Sequence, residues 1–191
     1  MSKIKTVGIV GTGVIGTGWI IRNLAHNKIV HAYDQNKNLK NYVLKEIKRT
    51  SKSIKKLFGK KILIKNLKFF NSLEKALSNV DFVQESVLEN YKVKTDLIQK
   101  ISKYVKSNVI ISSSSSGLLP SKIFSKSKNP QRGIIGHPFN PAYLLPAVEI
   151  VPGKKTTKKF LSDANKYYKS ISMKPIMPVS YTHLRAHETD R

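Results

Sequence analysis

Gly11-Thr12-Gly13-Val14-Ile15-Gly16 decides the fold of this chain. Before it lies a short apolar run, residues 5–10, that reads as a strand. After it, over residues 14–26, Ile15, Trp19, Ile20, the stem of Arg22 and Leu24 recur at the spacing of a helix face turned inward. A glycine-rich turn between a strand and a helix is the setting a dinucleotide fingerprint requires. Gly11 permits the tight turn, Gly13 lets the backbone approach a pyrophosphate, and Gly16 lets the helix pack close to the sheet. Together with Val14 and Ile15, these glycines put the first amides of the helix, and its positive dipole end, against an anion.

Working outward, residues 29–33 read as a second strand closed by Asp34. An acid there, 18 positions after Gly16, can accept hydrogen bonds from ribose hydroxyls and repels a 2′-phosphate. The loop and the acid together predict NAD as cofactor, in preference to NADP. Leu39, Tyr42, Val43, Ile47, Ile54, Leu57 and Phe58 fit one long amphipathic helix or a helix pair. Further strands are predicted over 67–70, 81–85, 108–112, 132–137, 147–151 and 175–179, and helices over 73–77, 93–105 and 156–171. Strands alternating with helices predict an α/β, Rossmann-type doubly wound fold with a mostly parallel sheet.

Composition narrows the function classes. The 191 residues contain no cysteine, which excludes disulfides, Cys-ligated metal sites and a Cys nucleophile. The longest uncharged stretch near the start, residues 7–21, carries five glycines and is too short to span a bilayer. Neither a signal peptide nor a membrane partner is expected, and the cytoplasm is the expected compartment. The net charge of +24 invites a nucleic-acid reading. Thirty of the 35 basic residues are Lys, however, whereas bidentate base and phosphate recognition favours Arg. Residues 37–68 alone hold eleven Lys, Arg49 and one acid, Glu46. Solvated lysine is the simpler reading, and a basic nucleic-acid module is the competing one.

Residues 110–149 carry the chemistry. Five consecutive serines, residues 112–116, sit between Val109-Ile110-Ile111 and Gly117-Leu118-Leu119-Pro120, as a strand end entering a loop rather than as a linker. Twenty residues on, Gly136-His137-Pro138-Phe139-Asn140-Pro141 braces a histidine and an asparagine between prolines. Glu149 is an acid inside the apolar run Ala147-Val148-Glu149-Ile150-Val151 and is expected to be buried and in need of a partner. His137 is the natural one, giving a base and an orienting acid.

These motifs resemble the NAD-binding domain of the 3-hydroxyacyl-CoA dehydrogenase superfamily over residues 4–178. The resemblance implies that His137 is the catalytic base, Glu149 its partner, Ser116 a residue contacting substrate and cofactor, and Asn140 the asparagine of the H-x-F-N-P motif. It places Glu89 and Lys94 on the cofactor side. Phe82-Val83-Gln84-Glu85-Ser86, Ser115-Ser116-Gly117 and the run from Gly136 to Pro146 look most like the L-carnitine 3-dehydrogenase branch. The lambda-crystallin/gulonate dehydrogenase branch is next, and 3-hydroxybutyryl-CoA chemistry is a further alternative. Pro138 departs from the aromatic usual in acyl-CoA members, which weakens that last reading. The implied reaction oxidises the 3-hydroxyl of a small hydroxy acid, and Phe139 and Tyr143 are the local candidates to meet a trimethylammonium group. The resemblance also implies a homodimer at full length and a C-terminal helical domain that this sequence lacks.

The tail reads differently. Residues 179–189, Val-Ser-Tyr-Thr-His-Leu-Arg-Ala-His-Glu-Thr, resemble a translated transposase sequencing adapter. The native sequence is therefore expected to stop near Pro178, as residues 1–178 of an NAD-binding domain. His183 and His187 are accordingly not counted as metal ligands, and no metal is expected.

Overall fold

Along each central strand, neighbouring apolar residues belong to opposite cores. Phe82 and Val83, Ile110 and Ile111, Ile134 and Ile135, and Ile150 and Val151 alternate in this way. Only a sheet covered on both faces needs such runs. The computed structural model describes residues 4–59 and 61–177. Its strands are β1 (Thr6–Val10), β2 (Ile29–Tyr33), β3 (Leu67–Phe69), β4 (Phe82–Glu85), β5 (Ile110–Ser113), β6 (Gly133–Pro138), β7 (Ala147–Pro152) and β8 (Lys174–Ile176). They form one sheet in the order β3-β2-β1-β4-β5-β6-β7-β8. All pairings are parallel except β6 with β7. The expected doubly wound α/β fold is the one found.

The helices are α1 (Val14–Ala25), α2 (Leu39–Phe58), α3 (Leu73–Leu77), α4 (Tyr91–Tyr104), α5 (Pro120–Ile123) and α6 (Lys158–Ser170). Trp19, Ile20 and Leu24 of α1, Val43 and Ile47 of α2, and Phe160 and Tyr167 of α6 build the core on one face. Ala76 and Leu77 of α3, Ile98 and Ile101 of α4, and Ile123 of α5 build the other. The stretch after Asp34 is one helix of 20 residues rather than a pair, ended by Gly59 in the left-handed region at φ 64°. Asn90 caps α4 by accepting from the Val93 amide at 3.1 Å. The short helix α5 was not expected from the sequence.

Three local expectations are corrected. Asp81 lies outside β4, and its carboxylate accepts from the Lys5 and Thr6 amides, both at 2.9 Å, tying the entrance of β1. Arg22 buries its whole side chain, not just its stem. Glu149 is not a buried acid: its side chain is 43% exposed, because the pleat turns Val148 and Ile150 into the core and Glu149 away from it. The adapter-like tail, and the end of the strand predicted over 175–179, lie outside the described residues.

Candidate active site

Because β1, β2, β4, β5 and β6 run parallel, their C-terminal ends open on one edge of the sheet. The order reverses between β1 and β4, where a crevice forms in such sheets. A cavity of about 830 Å³ occupies it, with Gly11, Gly13, Asp34, Ser86 and Val93 in its wall. The glycines explain themselves by distance. Gly11 has φ +89°, and a Cβ there would stand 2.6 Å from the Ser86 carbonyl oxygen. A Cβ on Gly16 would stand 1.8 Å from the Gly11 carbonyl oxygen, so the helix could not begin where it does. A Cβ on Gly13 would meet nothing within 4 Å, which leaves its backbone open to a ligand. No side chain caps α1, so its first amides, at Val14 and Ile15, have no side-chain acceptor.

Asp34 follows β2 beside this loop. Its carboxylate accepts from the Thr12 amide at 2.6 Å, the Thr12 hydroxyl at 3.3 Å and the Asn36 amide at 2.9 Å. The acid therefore fixes the glycine loop while staying on the wall of the cavity. An open glycine backbone, an uncapped helix start and a carboxylate on the second strand fit an adenine dinucleotide with free ribose hydroxyls.

The serine run is structural at its start and exposed at its end. Ser112, Ser113 and Ser115 are buried, while Ser116 is exposed. Glu89 organises the turn: its Oε1 accepts from the Ser115 hydroxyl at 2.5 Å, the Ser116 amide at 2.9 Å and the Gly117 amide at 3.2 Å. Partial burial pushes the Glu89 carboxyl up. The Ser115 hydroxyl, the Gly117 amide, Lys94 and the Ser116 amide together outweigh that and hold it below its ordinary value. Lys94 lies beneath this turn, 1% exposed. Its ammonium sits 2.8 Å from Glu85 Oε1, 3.1 Å from the Val87 carbonyl oxygen and 3.4 Å from Glu89 Oε2. Glu85 is fully buried and also accepts from the Ser113 hydroxyl at 2.5 Å and the Val87 amide at 2.6 Å.

The antiparallel turn-back of β7 brings the expected pair together. His137 and Glu149 face each other in the β6–β7 register. His137 Nδ1 lies 3.4 Å from Glu149 Oε2, with the side chains 31% and 43% exposed. Phe139, 43% exposed, has its ring centroid 6.3 Å from that of His137. Asn140 follows, exposed, at the head of a cis Asn140–Pro141 peptide.

Arg22 is a residue the sequence reading undervalued. Its guanidinium donates to the carbonyls of Ala142 at 2.9 Å, Leu145 at 2.8 Å and Ser172 at 3.2 Å. Burial pulls its pKa down to about 10. It ties α1 to the loop that follows Asn140. Glu85, Gln84 and Ser114 were also not singled out; their partners lie on other strands, and no local pattern announces them. Among the described residues, no cluster of three or more His, Cys, Asp or Glu could hold a metal. Nor is any described helix long and apolar enough to cross a membrane.

The chain compares closely with known proteins. It is 41% identical over 175 residues to an L-carnitine dehydrogenase of Oceanobacillus iheyensis, covering 91% of this chain and 57% of that one. It is 40% identical over 177 residues to an L-carnitine dehydrogenase of Pseudomonas putida, covering 92% and 55%. The chain thus spans little more than half the length of these curated relatives. Among solved structures, the dehydrogenase part of multifunctional enzyme 1 from C. elegans superposes with a TM-score of 0.83 at 28% identity, covering 97% of this chain and 44% of that one. A 3-hydroxybutyryl-CoA dehydrogenase from Escherichia coli, at 24% identity, shares the fold with a TM-score of 0.84 over 92% of this chain and 38% of that one. The family model described as 3-hydroxyacyl-CoA dehydrogenase, NAD binding domain, matches residues 6–180. A match over nearly the whole chain, on a crevice built for a dinucleotide, places this protein in the 3-hydroxyacyl-CoA dehydrogenase family through its NAD-binding domain.

Proposed function

We propose that the protein oxidises the 3-hydroxyl of a small hydroxy acid with NAD, and that the substrate is L-carnitine. The observation that carries this reading is the His137–Glu149 pair, set across two strands at the edge where the dinucleotide crevice opens. With Glu149 on the Nδ1 side, the neutral imidazole keeps its proton on Nδ1 and presents the Nε2 lone pair to substrate. His137 then accepts the hydroxyl proton, and Glu149 steadies the imidazolium that forms. Bound NAD supplies the hydride acceptor for the carbon that loses its hydrogen. Ser116 and Asn140, both exposed at the ends of their strands, orient the alcohol.

The relatives named L-carnitine dehydrogenase favour carnitine over gulonate or a 3-hydroxyacyl-CoA. Phe139 offers an exposed ring face near His137 for the trimethylammonium group. Tyr143 is less suited, because its hydroxyl already lies 3.4 Å from the Arg49 guanidinium. The reading includes a cytoplasmic homodimer, a family helical domain beyond a native boundary near residue 178, and no nucleic-acid role. The test is NADH formation by the full-length protein, helical domain included, with L-carnitine, gulonate and 3-hydroxybutyryl-CoA supplied side by side. Turnover of carnitine is expected; turnover of one of the others alone overturns the substrate, and turnover of none overturns the reaction.

A further inference from the structure

A chain of buried and part-buried hydrogen bonds runs under the site, and its direction can be read atom by atom. Gln84 approaches the Gly136 carbonyl oxygen at 3.3 Å, and a carbonyl only accepts, so the amide nitrogen of Gln84 is on that side. The same nitrogen donates to Ser114 Oγ at 2.8 Å. Gln84 Oε1 then faces the Tyr168 hydroxyl at 2.7 Å, and Tyr168 must donate to it. With that proton engaged, Ser112 Oγ, 2.8 Å from the Tyr168 oxygen, is the donor of its own bond. Ser114 also accepts from Trp19 Nε1, which can only donate, at 3.1 Å. Two acceptances fill the Ser114 lone pairs, so its proton goes to Ser86 Oγ at 2.9 Å.

The chain thus runs from Ser112 through Tyr168, Gln84 and Ser114 to Ser86, and every proton but the last has a protein acceptor. The Ser86 hydroxyl has no other side-chain partner among the described residues, and Ser86 stands in the wall of the crevice against Gly11. Space has been left for the relay: a Cβ on Gly136 would stand 1.9 Å from the Tyr168 hydroxyl and 2.4 Å from Ser112 Oγ.

We propose that Ser86 is a cofactor-binding residue whose hydroxyl, aimed by Ser114, donates a hydrogen bond to an acceptor oxygen of the bound dinucleotide. Gln84, Tyr168 and Ser114 are positioning residues. The proposal rests on the dinucleotide reading of the crevice and adds a side-chain donor where the glycine loop supplies only backbone.

The test is a fluorescence titration with NADH, without substrate, on wild type, S86A, S114A and the S86A/S114A double variant. Failure of the wild type to bind NADH would be failure of the dinucleotide reading, seen before any variant is compared. Given wild-type binding, S86A is expected to weaken it about three- to tenfold, the size of one lost neutral hydrogen bond. S114A should weaken binding only while Ser86 keeps its hydroxyl, so the double variant should match S86A. S86A binding within about twofold of wild type overturns the proposal, as does an S114A loss of equal size in both backgrounds.

Discussion

Lys94→Met tests whether the serine turn rests on a buried charge pair. In the native fold the Lys94 ammonium and the Glu85 carboxylate are 1% and 0% exposed and 2.8 Å apart. Removing the ammonium leaves a fully buried carboxylate with only the Ser113 hydroxyl and the Val87 amide as donors. Breaking one side of such a pair costs about 3–5 kcal/mol, because the remaining charge cannot return to water. A domain of this size has about 5–15 kcal/mol in all, so the loss is a large share of it. With a urea slope of about 2 kcal/mol per molar, the unfolding midpoint followed by circular dichroism should fall by about 2 M. Glu85→Gln added to Lys94→Met removes the stranded charge, keeps one oxygen to accept from the Val87 amide, and turns an amide N–H to the Ser113 hydroxyl, which can accept it. The double variant should regain at least half of the loss. A single-variant midpoint within about 0.5 M of wild type, or a double variant no better than the single one, would refute the reasoning.

Other substitutions address the chemistry. In the full-length protein, His137→Ala should lower turnover about 10²–10⁴-fold while leaving the NADH dissociation constant unchanged, and wild-type turnover would sink the assignment of the base. Asp34→Ser should weaken NAD about tenfold or more through lost ribose hydrogen bonds. It should also admit NADP, because Lys37 and Lys40 already line the pocket that Asp34 shares. Binding assays that return the wild-type NAD preference would contradict this. The Glu89 carboxyl is held below its ordinary value of 4.5 in the fold, so its stabilisation of the turn is complete above pH 4.5 and is lost as pH falls through the lower folded value. Nuclear magnetic resonance should show the Ser116 and Gly117 amides titrating together with a midpoint below 4.5; a midpoint above it would be wrong for this cause.

How much of this was legible depended on how local each cause was. The glycine loop and Asp34 declare themselves because the turn, the helix start and the strand end all lie within one βαβ unit. His137 and Glu149 could be paired because each lies in its own short strand and only one turn-back separates them. The exposure of Glu149 was not legible, since apolar neighbours imply burial until the pleat is known. Lys94 looked like a cofactor-side residue in the linear motif. Its buried partnership with Glu85, nine residues before it on β4, is not announced by the motif. Arg22 was read as a stem because its three carbonyl partners lie 120 to 150 residues away.

The charge imbalance supplies a second reading of the site. With 11 acids against 35 bases, a carboxylate is the scarce group, and the fold shows where one is needed. Asp34 holds the glycine loop, Asp81 the start of β1, Glu85 the buried ammonium, Glu89 the serine turn and Glu149 the histidine. Four of these five lie at the C-terminal edge of the sheet, between the glycine loop and His137. The cations are disposed in the opposite way. Arg22 and Arg132 are buried donors to backbone carbonyls, and Arg49 is paired with Glu46 at 2.6 Å. Among the described residues, then, no arginine fork is exposed and unpaired, as bidentate recognition of phosphates or bases would need. The surplus is carried by lysines, nearly half of it, a net +11 of +24, over residues 37–68 on and after α2. Such a field raises the encounter rate of any anion, including a dinucleotide, and fades within a Debye length of about 10 Å at 0.1 M salt. The positive charge is thus a long-range attractor, while the few acids hold the loops and side chains around the crevice in place.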